Sequence, residues 1–404
     1  MRTFLSLLML ASLVIALGCG GGSSSGSGSS GGTSRSNPPS GANVQSIVVN
    51  SGPTGNYANG VFANVTVCVP GTSTCQTISS VLLDTGSFGL RVLSSALAGL
   101  ALPQQNDASS HPIVECAQFS DGITWGPVKT ADVKIAGEQA SSIPIQVIGD
   151  TNFSTVPTDC SNHGPTLDTL QQLMANGILG VGQFKQDCGQ ACAPFTTSNP
   201  GFYYVCPPAS TCGVTTVSIS GQVQNPVWMF AVDNNGVIVE LPAVPAAGAQ
   251  SVNGSLIFGI GTQSNNGLGS AKIFAPDPTT SYLTTQYQGS PYTKSFIDSG
   301  SNGIFFGQPT ATLPACGSNA SVFYCPSAPQ NLSATQQGAN GTSAGVNFTV
   351  ANAITLFSSS NFAFNDLGGT NTANTFDWGL PFFFGRSVYT GIESPSMPAG
   401  YWAY

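Results

Sequence analysis

The chain has 404 residues, only 6% of them charged, and 17 acidic side chains outnumber 9 basic ones for a formal net charge of −8. This balance excludes nucleic-acid binding through a basic face. The length excludes a small scaffold held by cross-links alone and suffices for two domains with cores of their own. With so few charges, a surface rich in Gly, Ser, Thr and Asn must carry the solvation, and such a surface changes little in acid.

Residues 1–18 read as a signal peptide: Arg2 supplies the positive start, and the apolar stretch Phe4–Leu17 falls short of the roughly 20 residues of a membrane span. The stretch Ile15-Ala16-Leu17-Gly18-Cys19 resembles a bacterial lipoprotein cleavage box, which makes Cys19 the expected lipid anchor. The alternative is an ordinary signal peptide in which Cys19 is incidental. Residues 19–44, almost pure Gly and Ser from Gly20 to Gly32, predict a flexible tether. Gly20 directly after the anchor is compatible with an outer-membrane address, on the periplasmic face or the cell surface.

Strand signals dominate from about residue 45. Val61, Ala63, Val65, Val67 and Val69 alternate with polar or small residues, as do Ala131, Val133 and Ile135, and again Ile143, Ile145 and Val147. The clearest helical period, Leu167, Leu170, Leu173 and Met174, predicts a short helix that ends before Gly177, where a left-handed cap is easy. Setting Cys19 aside leaves ten of the 11 cysteines, and in an exported chain these predict five disulfides. Cys68 with Cys75 and Cys316 with Cys325 are close pairs, and Cys116 is a candidate partner for Cys160. Cys188, Cys192, Cys206 and Cys212 form a local cluster, read as disulfides with a four-cysteine metal site as the alternative. His111 and His163 match no ligand spacing, and no metal or other cofactor is expected.

A distant internal echo organises the rest. Val81-Leu82-Leu83-Asp84-Thr85-Gly86-Ser87 returns as Ser295-Phe296-Ile297-Asp298-Ser299-Gly300-Ser301, 214 positions later. Each copy precedes an apolar-Gly stretch, Ile178-Leu179-Gly180 in the first half and Asp377-Trp378-Gly379 in the second, where an acid replaces one apolar residue. A duplicated lobe is the economical explanation, with one lobe over 45–221 and the other over 222–404. In each motif a buried strand delivers a carboxylate to a tight turn whose Gly lets two loops approach closely. Two carboxylates forced together share a proton and titrate as a pair, so that one takes a proton from water while the other protonates a carbonyl.

Val81 to Val92 resembles the first active-site segment of pepsin-like aspartic proteases, and Phe296 to Phe306 the second. The resemblance implies an all-β, bilobal acid-protease fold with an interlobe cleft. It places Asp84 and Asp298 on the catalytic dyad, Thr85 and Ser299 on the positions that brace the two loops, and Ser87 and Ser301 on hydroxyls that bond the aspartates, beside Gly86 and Gly300. Phe119 to Gly137 resembles the hairpin flap over the substrate, with Phe119 where the pattern has Tyr, and Arg91 stands where it has Trp. Gly254 to Gly259 resembles an early strand of the second lobe. Within the pepsin-like group, Phe376 to Tyr389 and the lipoprotein start resemble a bacterial family catalogued as a domain of unknown function.

The expected activity is peptide-bond hydrolysis by a monomeric, lipid-anchored endopeptidase acting on a peptide or protein substrate, with an optimum in acid. The alternative expectation is a non-catalytic lipoprotein that holds a peptide or partner protein in the same cleft.

Overall fold

The computed structural model describes residues 40–208, 210–317 and 320–404. The leader, Cys19 and most of the Gly/Ser-rich tether lie outside the described residues. The first strand, Val44–Asn50, is anchored by buried Asn43, whose Nδ2 donates to the Phe258 carbonyl at 2.9 Å.

The chain is all-β, in a sheet of 15 strands and another of seven. The alternating segments become strands because one face of each is apolar: Val61, Val65 and Val67 of strand Gly60–Cys68 are fully buried. The larger sheet curls, since strand Ile123–Ile135 pairs with Glu138–Ile148 along one edge and with Gly60–Cys68 along the other. Val44–Asn50 pairs with both Gly60–Cys68 and Val252–Phe258, so this sheet draws strands from both halves of the sequence. Strands Gly236–Leu241, Arg386–Gly391 and Tyr401–Ala403 extend it. The seven-stranded sheet uses the second half alone, from Leu283–Tyr287 to Thr375–Trp378. Its core is aromatic, with Phe306 and Phe376 stacked at 4.9 Å and Phe376 and Trp378 at 4.5 Å.

One three-strand group occurs twice. Cys75–Asp84 runs parallel to Gly177–Val181, which is antiparallel to Phe88–Leu93. Ser290–Ile297 likewise runs parallel to Thr375–Trp378, which is antiparallel to Ile304–Phe306. The sequence echo therefore corresponds to a repeated backbone arrangement, with an aspartate at the end of the first strand in each copy.

Two local expectations change. The helix covers only Leu170–Leu173, and its left-handed cap is Met174 at φ 56° rather than a residue near Gly177. Burial of Leu173 and Met174 fixes the chain there, while Gly177 opens a strand so close to its neighbour that a Cβ would stand 2.3 Å from the Arg91 carbonyl oxygen. The flap-like hairpin is formed by Ile113–Gln118 and Ile123–Ile135, so residue 119 begins its turn instead of its first strand. The Phe119 N–H closes that turn on the Gly122 carbonyl at 2.8 Å.

All ten described cysteines pair: Cys68–Cys75, Cys116–Cys160, Cys188–Cys192, Cys206–Cys212 and Cys316–Cys325. The local cluster is thus two disulfides, which uses up the thiolates a four-cysteine metal site would need.

Candidate active site

Asp84 ends strand Cys75–Asp84, and Asp298 follows strand Ser290–Ile297. The repeated strand groups bring the two turns face to face. Asp84 Oδ1 accepts the Gly86 N–H at 2.7 Å and the Ser87 N–H at 3.1 Å, and its Oδ2 accepts the Ser87 hydroxyl. Asp298 Oδ1 accepts the Gly300 N–H at 2.7 Å, and its Oδ2 accepts the Ser301 hydroxyl at 3.0 Å. Between the loops, Thr85 Oγ1 accepts the Ser299 N–H at 2.9 Å. Ser299 Oγ accepts the Thr85 N–H at 3.1 Å and donates to the Leu83 carbonyl at 2.8 Å. Thr85 and Ser299 are fully buried, so these crossed bonds act without competition from water.

The two glycines set the spacing. A Cβ on Gly86 would lie 2.5 Å from Asp298 Cγ, and one on Gly300 would lie 2.7 Å from Asp84 Cγ. Each carboxyl occupies the place where the opposite loop has no side chain. Gly300→Ala is accordingly expected to push the loops apart at a cost of about 1–3 kcal/mol. A lowered denaturation midpoint would show it, and an unchanged midpoint would contradict this packing.

Asp84 is 1% exposed and Asp298 is fully buried. Burial raises the Asp298 carboxyl well above its ordinary range, and the charges of Asp84 and then Asp377 raise it further, against the Gly300 N–H. Phe119 packs in a cluster with Tyr57, Leu82, Met174 and Ile178. Burial, and then the neighbouring Asp121, Asp84 and Asp298, push the Tyr57 phenol up. The flap-like turn has no phenol at Phe119, but Tyr57 stands in the same buried cluster. Beside Tyr57, buried Asn59 ties the halves together, donating to the carbonyls of Asn302 at 2.8 Å and Phe364 at 2.9 Å. A cavity of about 440 Å³ opens here, lined by Tyr57, Met174, Asn302, Phe323 and Phe362 among others.

Arg91 is held by acids that sequence reasoning missed. Its guanidinium meets Glu115 at 2.5 Å and Asp187 at 3.2 Å, donates to the Phe88 carbonyl at 2.8 Å and lies 5.8 Å from the Phe119 ring centre. The Tyr203 hydroxyl donates to Asp187 at 2.6 Å. Burial, followed by the charge of Glu115, raises the Asp187 carboxyl. The signal was present in the strand Ile113-Val114-Glu115-Cys116, where an acid sits in an apolar run of a chain with only 17 acids. Asp377 carried the same signal. Among the described residues no group of three or more His, Cys, Asp or Glu side chains could hold a metal ion.

These carboxyls set the pH dependence of stability. Burial raises Asp168 and Asp366 to about 6 and also raises Asp187, Asp298 and Asp377. Unfolded carboxyls ionise near pH ~4, so as pH rises from there the unfolded chain releases protons that the folded chain retains, and stability falls. Half-buried Asp107 and exposed Asp277, lowered by backbone N–H bonds from His111 and Thr280, act the other way as pH drops. The urea midpoint is therefore expected to be highest around pH 4 and lower at about pH 7; a midpoint that rises across that window would contradict these raised carboxyls.

Over residues 39–404 the chain matches the family described as "Protein of unknown function (DUF3443)". No curated protein matches it.

Proposed function

Because the chain belongs to the DUF3443 family, whose description names no activity, we propose a function from the site itself: an aspartic endopeptidase that hydrolyses peptide bonds between Asp84 and Asp298. The observation that carries the reading is the pair of buried carboxyls, each lying against the other loop's glycine and held in place by the crossed Thr85 and Ser299 bonds. The pepsin-like, two-lobed reading of the fold belongs to this proposal, and the repeated three-strand group supports it.

Asp84 receives three donors and Asp298 two, so the negative charge of the pair sits on Asp84 and its proton on Asp298. A water between them gives a proton to Asp84 while its oxygen attacks the peptide carbonyl carbon, and Asp298 protonates the carbonyl oxygen. Collapse of the tetrahedral diol returns a proton to Asp298, breaks the C–N bond and transfers the proton held on Asp84 to the leaving nitrogen. Both carboxyls are buried, so admitting a substrate requires a movement, which we assign to the hairpin turn at residues 119–122. Lipid attachment at Cys19 places this activity on a bacterial outer membrane, which fractionation of a Cys19→Ser variant tests.

The test is to incubate the oxidised mature protein with a diverse peptide pool from about pH 3 to 7 beside an Asp298→Asn variant, reading products by mass spectrometry. Acid-favoured cleavage that disappears in the variant supports the endopeptidase. The closed cover and the aromatic Phe119 favour one other reading, a peptide-binding lipoprotein, which predicts a folded protein that retains peptides uncut at every pH.

A further inference from the structure

A second cavity, of about 620 Å³, is built from the second half of the chain and shares only Ser359 with the cavity beside Tyr57. The end of strand Ser343–Val350, the helix Ala353–Phe357 and residues 365–366 contribute to its walls, and the Ala351 N–H joins two of these by bonding the Asp366 carbonyl at 2.8 Å. Its rim is braced by side chains. Asn352 Nδ2 donates to the Pro326 carbonyl at 3.2 Å, Asn365 Nδ2 to the Val244 carbonyl at 3.0 Å, and the Thr349 hydroxyl to Asn331 Oδ1 at 3.0 Å. The fold therefore holds this cavity open without a ligand.

Among the described residues, Asp366 is the one charged side chain that lines it, and no Lys, Arg or His stands beside it there. Asp366 is 5% exposed, its Oδ1 meets no hydrogen-bond donor, and the donor that holds its carboxyl down is its own backbone N–H. A carboxylate drawn this far out of water is costly until a cation joins it. We propose that the cavity binds the guanidinium of an arginine-bearing peptide, with Asp366 as the counter-ion. Burial raises this carboxyl to about 6, so it is ionised at neutral pH and ready for such a partner. A metal ion is a poorer occupant, because among the described residues no group of three or more His, Cys, Asp or Glu side chains could hold one. A guanidinium suits the lining better than an ammonium does. It is flat and weakly hydrated, which matches Pro326, Pro329 and Leu356, and its several N–H groups can also be accepted by the hydroxyls of Ser327 and Thr355. The net charge of −8 favours the approach of a cation. This site goes beyond the proposed hydrolysis and does not depend on the dyad.

The experiment titrates acetyl-arginine amide into the oxidised mature protein by calorimetry, beside acetyl-lysine amide and the neutral isostere acetyl-citrulline amide. The arginine compound should saturate a single site and bind at least about tenfold more tightly than either analogue, and Asp366→Asn should abolish that preference. Going from about pH 7 to about pH 5 should weaken its binding about tenfold, as Asp366, titrating at about 6, takes up a proton. No other group that titrates in this range lines the cavity. Asp366→Asn should keep or raise the urea midpoint at neutral pH, since it removes a buried charge that the ligand-free protein leaves unpaired, and this shows that the variant folds. Absence of saturable binding overturns the proposal, as do citrulline bound equally well, affinity independent of pH, or binding that survives in Asp366→Asn. Equal binding of the lysine compound overturns the choice of a guanidinium. Should Asp366→Asn fail to fold, the arginine and citrulline compounds compared on the parent, with the pH dependence, decide the matter. None of these readouts involves cleavage, so failure of the dyad reading leaves them standing.

Discussion

Asp84→Asn is expected to lower peptide cleavage by about 10⁴-fold while leaving the fold in place. Asn is nearly isosteric, and its Oδ1 can still accept the N–H groups of Gly86 and Ser87 that now bond Asp84 Oδ1. The Ser87 hydroxyl, which donates to Asp84 Oδ2, can turn to accept from the new amide. The loop keeps its bonds and the crossed Thr85 and Ser299 contacts are untouched. The one thing removed is a group that can take a proton from water. Rate loss without a comparable change in circular dichroism or denaturation midpoint is therefore the signature, and full activity in the variant would remove Asp84 from the reaction. Asp84→Ala is a poorer test, because it strands buried donors and confounds chemistry with stability.

The two aspartate turns were legible in the sequence because their chemistry is local: apolar residues, an acid, a hydroxyl, a glycine and another hydroxyl specify a strand running into a tight bonded turn. Doubling the pattern implied a shared site, and the crossed bonds of Thr85 and Ser299 sit on the two positions assigned to bracing. The disulfides of short span were legible for the same reason, since Cys68 and Cys75 face each other across a hairpin. What escaped is set by distant parts of the chain. Tyr57 and Asn59 lie in a Gly- and Asn-rich stretch that reads as a loop, and only packing against residues 302 and 362–364 gives them roles. The Arg91 cluster joins residues from four separate segments, at 88–91, 115, 187 and 203. No periodicity records such a meeting. An isolated acid in an apolar strand, as at Glu115 and Asp377, is the local trace it leaves.

Removing Arg91 is expected to cost about 3–5 kcal/mol, because it leaves buried charge without its partner. In Arg91→Met the side chain can still fill much of the space beneath Phe119, so cavity formation is not the main loss. Glu115 and Asp187, both held to the guanidinium, would then face each other with the Tyr203 hydroxyl as the remaining donor to Asp187. Two consequences separate this electrostatic origin from simple misfit. First, the deficit should shrink in acid: below about pH 4 the unfolded chain is protonated as well, so keeping these positions neutral in the folded variant costs nothing, and the deficit grows as pH rises and the unfolded chain alone can ionise freely. Second, Arg91→Met combined with Glu115→Gln and Asp187→Asn should recover most of the lost stability, since an uncharged cluster needs no cation. Urea midpoints of the single and triple variants at acid and neutral pH measure both. A deficit independent of pH, or one the triple variant does not relieve, would assign the effect to packing. Because Glu115 belongs to the hairpin whose turn carries Phe119, the single variant should also loosen the cover over the dyad, raising KM for any peptide more than it lowers kcat.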